Sequence, residues 1–133
     1  MFVDRLKHLV RRAGENISAA EIEGVLTTSA LVRQAAVVAA RDPIREEEVV
    51  AFIVARDGAS ASHDLAREIF RFCGERLAPF KLPAWIAFVG ELPLTSTNKI
   101  QKHSLLGADG DPQSFPGMID LRQEKTNAIR QVN

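Results

Sequence analysis

The sequence predicts a single α+β domain, a small central sheet covered by two or three helices with a hairpin at its N-terminal end. Three observations predict it. At 133 residues the chain is long enough for one ordinary domain with its own core and too short for two of typical size. Two neighbouring runs, VRQAAVVAARD and EEVVAFIVARDG, are rich in small and β-branched apolar residues and are separated around the turn-forming Asp42-Pro43, as paired central strands are. Segments on either side carry apolar residues at helical spacing.

Taken in order, FVDRLKHLVRRAGENI alternates apolar and charged residues about a glycine-containing turn, which predicts two short strands with Arg11 and Arg12 flanking the turn. Ser18 followed three residues later by Glu21 has the spacing of a capping box, and Ile22, Val25 and Leu26 give the ensuing helix one apolar face. Beyond the two central strands, the looser GASASHD leads into DLAREIFRFCGERL, where Leu65, Ile69, Phe72, Cys73 and Leu77 form the face expected to cover the sheet. Pro79 and Pro83 favour an extended entry into a strand through Trp85, Ile86, Phe88 and Val89. The Thr/Ser-rich turn of LPLTSTNKIQKHSLL then presents Lys99 and begins a short helix. The domain is expected over 1–106. Residues 107–133 are turn-rich, with little apolar periodicity, and are expected to form a loosely held, flexible tail.

Composition narrows the function classes. Acidic and basic residues balance at 17 each, so no bulk charge asymmetry points to a nucleic-acid backbone or an anionic membrane, and any anion site must be local. No apolar run approaches the ~20 residues that span a bilayer. The start, MFVDRLKHLVRR, lacks the pattern of a secretory signal, and the single Cys73 cannot form an internal disulfide. A soluble, cytoplasmic protein is the expectation. His8, His63 and His103 have no partner at metal-ligand spacing, so no metal site is expected. Cys73 falls on the apolar helical face and reads as an inert core thiol. There is no phosphate loop of the G-x-x-x-x-G-K-[ST] kind.

Two stretches can carry chemistry. Lys99 sits on a four-carbon stem that delivers a compact positive charge to a phosphate or carboxylate, and Asn98 before it tolerates the left-handed backbone of a tight turn. Alone, that lysine reads as a solvated surface feature. The stretch DRLKHLVRRAGEN has a glycine turn whose backbone amides can approach a ligand closely, although taken alone it reads first as a solvated hairpin.

Together these stretches resemble the C-terminal domain of the adenylate-forming superfamily, the AMP-forming acyl-CoA synthetases and ligases. Three motifs match in order: DRLKHLVRRAGENISAAEIE, ERLAPFKLP and ELPLTSTNKIQKHSLL, spanning almost all of residues 2 to 106. GENISAAEIE and APFKLP favour the CoA-ligase branch. The resemblance implies a small lid domain that closes in two orientations over a large N-terminal domain, which binds ATP and the carboxylic acid. Lys99 matches the catalytic lysine of adenylation, whose charge stabilises the reacting carboxylate and phosphate. Lys7 matches the hinge about which the domain rotates for the thioester step. Arg5 matches an arginine that contacts the nucleotide, and Gly14 the glycine bordering the tunnel for the pantetheine arm of CoA.

The implied partners are an N-terminal adenylating domain in cis or trans, ATP with Mg in the complete enzyme, and CoA, none bound tightly by this chain alone. Fatty acid metabolism is the implied setting. The sequence departs from the family pattern at Asn98 and Ala13, where glycine is common, and it lacks the phosphate loop and acyl pocket of the N-terminal domain. The isolated chain is therefore expected not to turn over ATP. Two alternatives stay open: a non-catalytic interaction module that keeps the fold, and, more weakly, a nucleic-acid-binding domain using Arg5, Arg11 and Arg12, against which the balanced charge counts.

Overall fold

A computed structural model of the chain describes residues 9–92 and 111–132. Its centre is a six-stranded sheet in which the strands Glu15–Ser18, Leu9–Arg12, Glu46–Ala55, Trp85–Phe88 and Ile119–Asp120 follow one another in space, with Val32–Asp42 also paired to Glu46–Ala55. The α+β class and the covering helices agree with the sequence expectation.

The chain enters through a hairpin, β1 (Leu9–Arg12) and β2 (Glu15–Ser18), in register Val10 to Ile17 and Arg12 to Glu15. The two turn residues, Ala13 and Gly14, have φ of 50° and 87°. Positive φ at both central positions is what a two-residue turn needs to match the twist of its strands. Helix α1 (Ala19–Thr27) begins at Ser18, whose hydroxyl accepts from the Glu21 N–H, as the capping spacing predicts. It buries Ala19, Ile22 and Leu26.

Strands β3 (Val32–Asp42) and β4 (Glu46–Ala55) form a long antiparallel pair with an irregularity between Val32 and Gln34. At their turn the Asp42 carboxylate accepts from the N–H groups of Ile44 and Arg45, at 2.8 and 3.0 Å. Glu46 closes the turn with φ of 73°. From Glu48 to Val54 every residue of β4 is buried. That continuous run marks a strand covered on both faces. Val49, Ala51 and Ile53 enter one core, while Val50, Phe52 and Val54 enter another.

Parallel pairing of β4 with β5 (Trp85–Phe88) requires a crossover, and helix α2 (His63–Gly74) supplies it. Ser62 caps α2 by accepting from Leu65 N–H, and the helix buries Leu65, Ala66, Ile69, Phe70 and Cys73. Phe70 takes the buried place that the sequence pattern gives to Phe72. Phe72 is instead half-buried, with the Arg76 guanidinium 3.7 Å above its ring.

The segment from 111 onward corrects the expectation of a loosely held tail, as far as it is described. Asp111 caps a 3-10 turn, Pro112–Ser114, and Phe115 then packs edge-on against Phe52 in the second core, with ring centroids 5.1 Å apart. Strand β6 (Ile119–Asp120) pairs with β5, and helix α3 (Arg122–Val132) follows. Leu121 and Ala128 join the first core. The segment thus contributes to both faces of the sheet and adds a strand beside β5. Its order comes from these tertiary contacts, which apolar periodicity does not record. Among the described residues no helix is long and apolar enough to cross a membrane.

Candidate functional site

The β1–β2 turn is tied to the sheet from three sides. Ala13 N–H donates to the Arg45 carbonyl at 2.8 Å, Arg11 N–H donates to Glu47 Oε1 at 2.7 Å, and Arg12 pairs across the ladder with Glu46. Two turns that each hold a non-glycine residue at positive φ, Ala13 and Glu46, therefore meet back to back. The left-handed region costs an alanine about 1 kcal/mol or more, and such strain persists only where surrounding contacts enforce it. A Cβ built on Gly14 meets no atom within 4 Å, so this glycine answers to φ and not to crowding inside the domain.

Beneath the turn lies a buried ionic cluster. Arg12 Nε donates to Glu48 Oε1 at 2.8 Å. The other carboxylate oxygen, Oε2, accepts from Lys125 Nζ and, at 2.9 Å, from Val49 N–H. The three residues retain 7%, 2% and 1% of their accessible surface. A carboxylate so enclosed needs every acceptor position used, and here both oxygens are engaged. Two cations face one anion. Burial, together with the charges of Arg12 and Arg45, outweighs the attraction of Glu48 and pushes the Lys125 ammonium down to about 8. The cluster joins β1, β4 and α3.

Beside it is a cleft of about 360 Å³ lined by Arg45, Asp120, Arg122, Gln123 and Thr126. Arg122 lies 4.5 Å above the Trp85 ring and donates to both Asp120 oxygens, at 2.8 and 3.0 Å. Those hydrogen bonds hold the Asp120 carboxyl below its ordinary pKa despite partial burial. Cys73, fully buried, is pushed up to about 12 by desolvation and stays a neutral thiol.

Of the residues assigned from sequence, Gly14 lies in this turn. Arg5, Lys7, Asn98 and Lys99 lie outside the described residues. Arg12, one of the arginines of the nucleic-acid alternative, is buried against Glu48 and is not offered to a phosphate backbone. Sequence reasoning missed Glu48 and Lys125 as partners. The spacing Leu121, Lys125, Ala128 puts all three on one helical face, a signal masked by the charge of its middle member.

Comparison with known proteins decides the family. The model for the AMP-binding enzyme C-terminal domain matches residues 21–99. The chain belongs to this family of adenylate-forming ligase C-terminal domains. It is 36% identical over 104 residues to the crotonobetaine/carnitine–CoA ligase of Escherichia coli, covering 78% of this chain and 20% of that protein. Among solved structures, it resembles a Brucella canis acyl-CoA synthetase at TM-score 0.71 and 34% identity, over 73% of this chain and 18% of that one. It also resembles the o-succinylbenzoate–CoA synthetase of Bacillus subtilis, solved with its acyl-adenylate intermediate, at TM-score 0.68 and 34% identity, over 76% and 20%. The chain thus spans about a fifth of the length of these relatives. The family match ends at residue 99, so β6 and α3 of this AMP-binding enzyme C-terminal domain lie beyond it.

Proposed function

We propose that the chain is the lid of an AMP-forming carboxylic acid–CoA ligase, acting on ATP and CoA together with an N-terminal adenylating domain in cis or in trans. The observation that carries this reading is the family match from 21 to 99, flanked at its start by the Ala13–Gly14 turn and closed at its end by Lys99. In this reading Lys99 is the adenylation lysine, supplying positive charge as the acyl-adenylate forms and pyrophosphate leaves. Arg5 contacts the nucleotide. Lys7 is the hinge, and rotation about it turns the face bearing Gly14 toward the pantetheine arm for the thioester step.

The physical contribution of the described residues is to hold that turn. A thioester-forming face must present backbone to the thin, thiol-ended arm that accepts the acyl group without side chains intruding, and a positive-φ turn with a glycine at its second position does this. Ala13, beside Asn98 and the missing nucleotide-binding portion, is one of the departures from the family pattern that leave room for an interaction-module alternative. It keeps the positive φ of the turn, so this one departure adds no support to that alternative. The chain alone, a fifth of the length of its relatives, is not expected to turn over ATP.

The test uses the complete ligase. Lys99→Ala is expected to slow pyrophosphate release from ATP and acid far more than thioester formation from preformed acyl-adenylate. Equal loss in both half-reactions would sink the assignment.

A further inference from the structure

The ionic cluster raises a question that the family match does not answer. Arg12 immediately precedes the Ala13–Gly14 turn, yet the carboxylate that holds its guanidinium is itself held from the other side by Lys125, on a helix beyond the matched region. The path of contacts is short and closed to water. Lys125 Nζ meets Glu48 Oε2, Glu48 Oε1 meets Arg12 Nε, and the Arg12 backbone leads directly into Ala13, whose N–H is bound to Arg45.

Helix α3 is fixed independently of this path. Leu121 N–H donates to the Ala84 carbonyl at 2.8 Å, β6 pairs with β5, and Arg67 bridges to Glu124 at 3.4 Å. The lysine therefore reaches the hairpin from an anchored base. The carboxylate between them has both oxygens committed, so it transmits position rather than absorbing it. Its lysine neighbour and its arginine neighbour approach different oxygens, which fixes the carboxylate plane.

We infer that Lys125 is a positioning residue for the thioester half-reaction, acting through Glu48 and Arg12 to hold the Ala13–Gly14 turn in place. The thioester part of this inference rests on the proposed ligase function; the contact path does not.

The experiment has two arms and one variant, Lys125→Met, which keeps the aliphatic length and removes the ammonium. Glu48 retains Arg12 and the Val49 amide, so the domain is expected to fold. In the 133-residue chain, amide hydrogen exchange read by NMR is expected to quicken at Arg11 and Ala13 and to stay unchanged at Val50–Phe52. In the complete ligase, the KM for CoA is expected to rise about tenfold, well short of the ~100-fold that a 1 Å misplacement can cause, while adenylation is unchanged. Unaltered exchange at Arg11 and Ala13 would overturn the inference, as would parallel quickening in the central strand or equal loss in both half-reactions. A complete protein that forms no thioester even in its native sequence would overturn the ligase reading, and the exchange arm would still decide whether Lys125 positions the turn.

Discussion

Raising the pH above 8 should stabilise this domain, which is unusual for a protein with buried ion pairs. Lys125 titrates at about 8 in the folded chain against an ordinary 10.5. Between those values the unfolded chain binds one proton more than the folded chain, so unfolding becomes harder by about 1.4 kcal/mol for each pH unit. Cys73 acts in the opposite sense. Its folded value is about 12 against an ordinary 9.0, so above pH 9 the folded chain keeps a proton that the unfolded chain has released, and stability falls at the same slope. The two slopes combine into a profile with three parts: a rise of under about 1 kcal/mol from pH 8 to 9, where Lys125 is still part-titrated, a levelling toward 10.5, then a decline. The chain has no tyrosine to blur the alkaline range, and its one tryptophan, Trp85, is a buried reporter. Urea unfolding followed by Trp85 fluorescence across pH 7 to 11 reads the profile directly. Cys73→Ala should extend the rise to about 3 kcal/mol by pH 10.5, and Lys125→Met should abolish it. Stability that falls between pH 8 and 9, or a rise that survives Lys125→Met, would refute the assignment of this titration to the buried cluster.

Further outcomes follow from the same contacts. Ala13→Gly relieves about 1–2 kcal/mol of left-handed strain and gives back about 0.5–1 in unfolded-state entropy, so urea unfolding should show a net gain of roughly 0.5–1 kcal/mol. A loss would mean that the alanine methyl makes a contact the turn depends on. Ser18→Ala removes the acceptor for Glu21 N–H and should cost about 1 kcal/mol by the same assay. Cys73 should resist thiol reagents in the folded chain and react on unfolding, and rapid labelling under native conditions would contradict its burial. Glu48→Gln leaves Arg12 and Lys125 buried around a neutral acceptor and should cost about 3–5 kcal/mol, whereas Lys125→Met at pH 7 should cost little, since it removes the surplus cation.

The parts of the fold that were legible in the sequence are those whose causes are local. The turn glycine between alternating strands, the Ser18 to Glu21 spacing and the uninterrupted apolar run of β4 each name their element without reference to anything distant. Phe70 and Phe72 mark the limit of that reasoning. Both lie within reach of the apolar face of α2, and the choice between them is made by what packs there. Phe70 lines a cleft that α3 also walls, while Phe72 is covered by Arg76 of its own segment. The last segment was illegible for a related reason. Strand β6 is two residues long and exists through its pairing with β5, and α3 presents a lysine where periodicity expects an apolar side chain. Of the candidate site, the Ala13–Gly14 turn was legible as a glycine-containing turn between strands, but the residues that hold it were not. Glu48 and Lys125 are 77 positions apart in sequence, and only the fold makes them neighbours.

The presence of a buried lysine at the centre of that helix face has a directional logic that apolar packing lacks. Burial of Leu121 and Ala128 supplies a non-directional attraction, tolerant of small rotations of α3. Lys125 does not share that tolerance. Turning the helix away from Glu48 would leave an ammonium in the core with no anion, a far larger penalty than a poorly seated methyl group. The desolvation that lowers its pKa is therefore the counterpart of a preference for one seating of α3, and that seating is also the one in which Glu48 is gripped on both oxygens. Strain at Ala13 and Glu46 makes the same demand from the other side, because a turn held in a left-handed conformation relaxes unless its neighbours stay fixed. The cluster meets that demand with buried, charge-assisted hydrogen bonds placed directly beneath the turn that the proposed function asks to be rigid.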